Sequence, residues 1–197
     1  MGVLFSMVVA LATGMVLIRA SRGFSTREKP TPMESWAAQK SRALAMPAEA
    51  KSRINPVAAS AETLADGRAH WADHCFTCHA NDGSGDTPLG RNLYPPAPDM
   101  RLAATQQLTD GELLYVIQNG IRLTGMPAWG TGTAKDEEDS WKLVHFIRHL
   151  PQITVEEKKA MEKMNPKSAD ELAEEQEEER FLRGEDNHET TPEHHHH

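Results

Sequence analysis

Cysteine is nearly absent. The 197-residue chain has two, Cys75 and Cys78, three positions apart. At that spacing they make no disulfide framework, so no covalent tie between distant segments holds the fold. Aromatic residues are scarce at 6%, and hydrophobic residues reach only 39%. No segment alternates apolar and polar residues with the period of a half-buried strand. Basic side chains are outnumbered, 21 to 29, for a net charge of −8. The imbalance is uneven: residues 1–59 carry +5, residues 60–151 carry −5 and residues 152–197 carry −8. An acidic folded part excludes nucleic acid as a partner, because phosphate recognition needs a basic face. It suits a partner with a basic docking surface instead.

Long hydrophobic runs are also lacking, with one exception. Residues 3–18 read VLFSMVVALATGMVLI. That is slightly short of the ~20 residues usual for a spanning helix. No basic n-region precedes the run and no small-residue cleavage site follows it, so residues 1–20 read as a transmembrane anchor or an uncleaved signal. Arg19, Arg22, Arg27 and Lys29 follow the run, and the positive-inside rule would place them in the cytoplasm. Residues 21–60 contain Pro30, Pro32, Pro47 and Pro56 among small and polar residues. They read as a linker or stalk with a short helix at 33–44.

Residues 61–151 hold the globular composition. At about 90 residues, such a domain is small enough to profit from an added staple. Residues 61–74 predict a helix with Leu64, Gly67 and Trp71 on one face. Residues 82–99 predict a loop rich in Gly, Pro, Asn and Asp. Thr109 or Asp110 caps a helix that stops near Asn119 and Gly120. Residues 136–150 predict the last core helix, with an acidic first turn, late basic residues and an apolar stripe of Leu143, Phe146, Ile147 and Leu150. Residues 152–197 predict an acidic tail, helical at 155–164 and 168–182 or disordered, with too few apolar residues for a second core. The chain ends in His194, His195, His196 and His197, a tag remnant or a weak transition-metal site.

The chemistry concentrates in Cys75-Phe76-Thr77-Cys78-His79. C-x-x-C-H is the attachment signature of c-type haem. Residues three apart on a helical turn bring both sulfurs to one edge of the porphyrin, and the next residue offers its imidazole to the iron. A thioredoxin-like C-x-x-C would need a preceding strand, and the pattern here predicts a helix. A structural zinc site would need further ligands; His70 and His74 are near, but four ligands in one short helical stretch make poor geometry. For the sixth iron ligand the candidate is Met126, framed by Gly125 and Pro127 in a loop between helices. Met100 is its rival and reads as packing. His145 and His149 lie on the last helix and read as surface or interhelix residues.

With these motifs in that order, residues 61–150 resemble the class I cytochromes c, particularly the small bacterial monohaem type. The resemblance implies an all-α fold of three to five helices around one covalent haem c. It implies Cys75, Cys78, His79 and Met126 as cofactor-binding residues, with His79 and Met126 on the iron. It also implies that Gly67 and Trp71 cross the last helix near Trp141 and Phe146. A proline carbonyl, from Pro88 or Pro96, would accept the His79 ring proton, and Arg91, Tyr94 and Trp129 would contact the propionates. The anchor, stalk and charged helical extension lie outside the family pattern.

The expected function is single-electron transfer without catalysis. The partners would be a quinol-oxidising complex, an oxidase or reductase, or a photosynthetic reaction centre. The expected location is a bacterial inner membrane crossed once, with the haem domain on the periplasmic side, because haem attachment overrides the charge bias. The stalk favours a tethered shuttle and the acidic tail favours a docked subunit. A second reading is a haem enzyme or gas sensor with a displaceable Met126. A third is a metal-handling protein using the terminal histidines.

Overall fold

The computed structural model describes residues 2–20 and 25–184. It divides into two units, Met1–Met164 and Asn165–His197. Every element among the described residues is helical.

Helix α1 spans Gly2–Ala20. Its stretch Gly2–Arg19 is long and apolar enough to cross a membrane, and no part of it is buried. Eighteen residues at 1.5 Å each give about 27 Å, close to the hydrocarbon thickness of a bilayer. The helix is thus a candidate anchor that the protein itself leaves uncovered.

Helix α2 spans Pro32–Ala45. Thr31 and Glu34 form a reciprocal capping box and Pro32 occupies the first turn, where its missing N–H costs nothing. Helix α3, Ala48–Ser52, lies so close to Gly111 that a Cβ there would stand 2.0 Å from the Ala50 carbonyl oxygen. From Met46 onward the segment expected as a linker lies against the domain. Met46 is buried, Asn55 donates from Nδ2 to the Trp141 carbonyl at 3.0 Å, and Arg53 pairs with Glu137 while lying 5.3 Å over the Trp141 ring.

The domain is built on two crossing helices. Helix α4, Ala61–His70, starts where the Ser60 hydroxyl accepts the Thr63 N–H at 3.0 Å. A π-helical turn, Trp71–Cys75, leads into α5, Phe76–His79. Two short helices, α6 at Pro88–Asn92 and α7 at Ala103–Gln106, interrupt the long connection that follows. Helix α8, Asp110–Asn119, begins with a Thr109–Glu112 capping box and ends at Gly120 with φ +66°. Helix α9, Ala134–His149, crosses α4 at Gly67. A Cβ there would lie 2.3 Å from the Lys142 carbonyl oxygen, so glycine is what lets the two backbones meet.

Helix α9 has weak local reasons to be helical and strong tertiary ones. Trp141, Leu143, Val144, Phe146, Ile147 and the following Leu150 are all at most 3% exposed. Each such burial contributes roughly 1.5–3 kcal/mol, far more than helix propensity supplies. Arg148 ties α9 to the start of α8, donating to Asp110 Oδ1 at 2.7 Å and to the carbonyls of Gln106 at 2.8 Å and Leu108 at 2.5 Å.

Helix α10, Val155–Glu162, belongs to this unit, although the charge pattern placed it in the tail. Met161 is fully buried in the core, and Glu157 accepts from His149 at 2.9 Å. One buried methionine among eight residues is too small a signal for periodicity to register. The second unit contains α11, Ala169–Leu182, which buries none of its residues and is held by a Ser168–Glu171 capping box. The terminal histidines His194 to His197 lie outside the described residues.

Candidate functional site

The site is built on the π-turn. The Phe76 N–H bonds the Trp71 carbonyl across five residues, which adds one residue to the helical circuit. Residues beyond the turn are rotated by about 100° relative to an uninterrupted helix. Trp71, Cys75 and His79 then all line one cavity. Ala80 follows at φ 60°, a strained conformation for alanine. It is secured on both sides: its N–H donates to Phe76 O at 2.8 Å and its carbonyl accepts the Trp71 indole N–H at 2.9 Å.

The loop after His79 is a tight cradle. Gly85 N–H donates to His79 O at 2.9 Å and Met100 N–H to Gly83 O at 2.8 Å. Thr87 Oγ1 donates to Thr77 O at 2.7 Å. A Cβ on Gly90 would lie 2.2 Å from the Cys78 carbonyl. The glycines expected only to mark a loop therefore press it against the C-x-x-C-H segment.

The electrostatics of the cysteines bear on the rival readings. Burial, reinforced by the neighbouring Cys78, pushes the Cys75 thiol up to about 12, and burial raises Cys78 as well. Dithiol redox sites and thiolate–metal sites depend on lowered thiol pKa values. Thiols raised in this way lack the activation that a dithiol redox site uses. They are compatible with sulfurs destined for thioether bonds.

Burial also lowers the pKa of His79, against the opposing pull of the Pro98 carbonyl. A neutral imidazole is the form that ligates metal. His79 Nδ1 is buried and lacks a hydrogen bond of good geometry; the carbonyl that faces the ring is that of Pro98. Neither Pro88 nor Pro96, the two prolines the resemblance left open, holds this place. Pro98 follows the hairpin closed by Ala97 N–H to Gly90 O at 2.9 Å, a long-range closure invisible in loop length alone.

Met126 reaches the same cavity from the opposite connection, between α8 and α9. Its loop is folded back on α8 by Ile121 N–H to Met126 O at 3.1 Å, Trp129 N–H to Ile117 O at 3.1 Å and Gly130 N–H to Gln118 O at 3.0 Å. Gly120 permits the reversal, since a Cβ there would meet Pro127, Ala128 and Met126 backbone atoms at 2.6–2.7 Å. Met100 lines the cavity too. Its backbone is bonded to Gly83, on the His79 loop, which leaves Met126 as the thioether brought from the other side.

The cavity has a volume of about 30 Å³ and is lined by Trp71, Ile117, Leu143 and Ile147 besides the residues above. A mainly apolar wall with a few convergent donors is the ordinary form of a cofactor site. The His79 imidazole, the Met126 thioether and the Cys75 thiol meet on this cavity, and with Cys78, next to His79 in the chain, they make up the donor set of a c-type haem, so the residues present fit that group. Trp129, expected near the propionates, lines the cavity, whereas Arg91 pairs with Asp86. Tyr94 stands beside the Glu34 carboxylate; burial, and after it that carboxylate, raise its phenol pKa. His145 and His149 are engaged by the Val57 carbonyl at 2.8 Å and by Glu157. His70 and His74 line the cavity unexpectedly; their four-residue spacing was the available signal.

Residues 62–147 match the family model described as cytochrome C oxidase, cbb3-type, subunit III. Searching curated proteins returns no match. The matched segment is a cytochrome c domain, in keeping with the class I monohaem resemblance.

Proposed function

We propose that this protein is a single-electron carrier anchored to a membrane by α1, with one haem c attached through Cys75 and Cys78 and ligated by His79 and Met126. The observation that carries the proposal is the convergence of His79 and Met126 on one cavity from two separate connections. When bound, the haem supplies an iron that exchanges one electron at a time. His79 and Met126 would hold the iron, and Trp71, Ile117, Leu143 and Ile147 would exclude water from it. Pro98 orients the His79 ring and tunes its basicity.

Covalent haem attachment argues for a domain outside the cytoplasm, on the periplasmic side of a bacterial inner membrane. The family's description supports a terminal oxidase as redox partner; a quinol-oxidising complex, a reductase or a reaction centre are the other partners of the same chemistry. The acidic charge of residues 60–151 suits a basic docking face on that partner.

Absorbance spectroscopy of the haem-loaded protein tests the ligation. The parent shows the far-red band of thioether-ligated ferric iron and does not bind CO when reduced. Met126→Ala loses the band, binds CO and shows a lower reduction potential, while Met100→Ala keeps the parent spectrum. CO binding by the parent protein would instead establish the enzyme or sensor reading.

A further inference from the structure

Beside the cavity, an open groove is lined by Asp66, Asp73, Asp139, Lys142 and the two histidines His70 and His74. These histidines sit four apart, one ending α4 and one inside the π-turn. We propose that His70 and His74, which border both the haem cavity and this groove, form on the groove side a chelating pair for a divalent transition metal ion other than the haem iron.

The geometry carries the assignment. The two ring centroids are 5.0 Å apart and the planes meet at 73°. With a metal–nitrogen bond of ~2.1 Å and a ring nitrogen ~1.2 Å from its centroid, an ion stands ~3.3 Å from each centroid, so ligands at ~90–110° place the rings ~4.7–5.4 Å apart. The observed separation falls in that interval. Histidines at i and i+4 share a helix face, which is how helical zinc sites present two imidazoles.

A second observation concerns His74. Its Nδ1 lies 3.0 Å from Asp73 Oδ2, and its ring meets Trp129 edge-on at 5.3 Å. A carboxylate beside the ring is the setting in which an acidic side chain supports a ligating histidine. Burial, followed by the proximity of His74, keeps the His70 ring more readily neutral than an ordinary histidine, so the ion has less proton to displace.

The groove's charge agrees. Asp66, Asp73 and Asp139 face it against one cation, and Lys142 is already engaged by Asp66 at 3.1 Å, Glu138 at 3.3 Å and Asp139 at 3.5 Å. Among the described residues no three His, Cys, Asp or Glu side chains gather in metal-holding geometry. The site is therefore bidentate, with water completing the shell. Such a site selects by nitrogen affinity, favouring Cu²⁺, Ni²⁺ and Zn²⁺ over Mg²⁺ and Ca²⁺.

Calorimetric titration with Zn²⁺ tests this on the full-length, haem-loaded ferric protein carrying Ser in place of His194, His195, His196 and His197, which removes competition from the terminus. His70→Gln and His74→Gln should each weaken Zn²⁺ binding by at least about tenfold, and Asp73→Asn by roughly tenfold. The double variant should bind no more weakly than either single one, because a chelate fails when one arm is lost. Circular dichroism establishes that each variant is folded; should His70→Gln unfold, the exposed His74 decides alone. Zn²⁺ affinity unchanged in His74→Gln, or absent from the parent, would overturn the proposal.

Discussion

Gly67→Ala is the smallest change that tests how the domain is held together. The added methyl would stand 2.3 Å from the Lys142 carbonyl oxygen, 2.9 Å from its carbon and 3.2 Å from the Phe146 Cβ. Two of these are backbone atoms, so no rotamer change removes the clash, and α9 must lift from α4 by about 1 Å. A gap of that size forfeits a quarter to a half of each dispersion contact facing it, where a buried side chain makes roughly 40–60 contacts of ~0.1–0.2 kcal/mol. If about half of the Phe146 contacts face α4, the loss is roughly 1–2 kcal/mol, and Trp71, whose ring centroid is 5.6 Å from that of Phe146, shares it. Overpacking of a tight core costs roughly 1–3 kcal/mol by itself. Against this, alanine gains about 1 kcal/mol of helix propensity over glycine. The net is a loss of about 2 kcal/mol, or roughly 10 °C in Tm for a domain of this size. Thermal unfolding of haem-loaded protein, followed by circular dichroism, measures it. A variant as stable as the parent would refute the close-contact argument, because helix propensity would then be the larger effect at this position.

Three further outcomes follow from particular contacts. Ala80→Gly should raise stability by about 1 kcal/mol, since relief of a positive-φ alanine worth ~1–3 kcal/mol exceeds the entropy cost of glycine, and Ala80→Val should lower it; urea unfolding midpoints give both signs. Arg148→Ala strands the Gln106 and Leu108 carbonyls and should cost about 2–3 kcal/mol in the same assay. Hydrogen bonds from the Arg101 guanidinium hold the Asp99 carboxyl below the ordinary carboxylate range. A depressed folded pKa contributes stability that is present above the unfolded value and lost as pH falls through the folded one. Asp99→Asn should thus lower the urea midpoint at neutral pH and converge with the parent below about pH 3; a gap that persists in acid would show that the carboxylate's charge is not what matters.

Local chemistry was legible without coordinates. Helix α8 starts at Thr109 and stops at Gly120, as its capping residues indicate, because a capping box and a positive-φ glycine act within four residues. The C-x-x-C-H segment was readable for the same reason: its spacing is itself the geometry. The crossing of Gly67 with α9 was also anticipated, through the resemblance, and the Trp71–Phe146 ring contact lies at that crossing.

What lay beyond the sequence involves partners distant along the chain. Met126 was favoured over Met100 from its Gly125–Pro127 frame, but that the two methionines reach one cavity from different loops is visible only in the fold. The Pro98 carbonyl replaced Pro88 and Pro96 because the Gly90–Ala97 closure sets the loop's path. Met161 and residues 46–57 look like tail and stalk by composition, yet they cover core faces of α8 and α9 that no local pattern reveals. The two cysteines and their histidine, by themselves, marked this chain as one with a cytochrome c domain. Tertiary structure alone decided what gathers around His79, because Met126, the Pro98 carbonyl and the paired rings of His70 and His74 are positioned by contacts whose energy depends on the folded backbone.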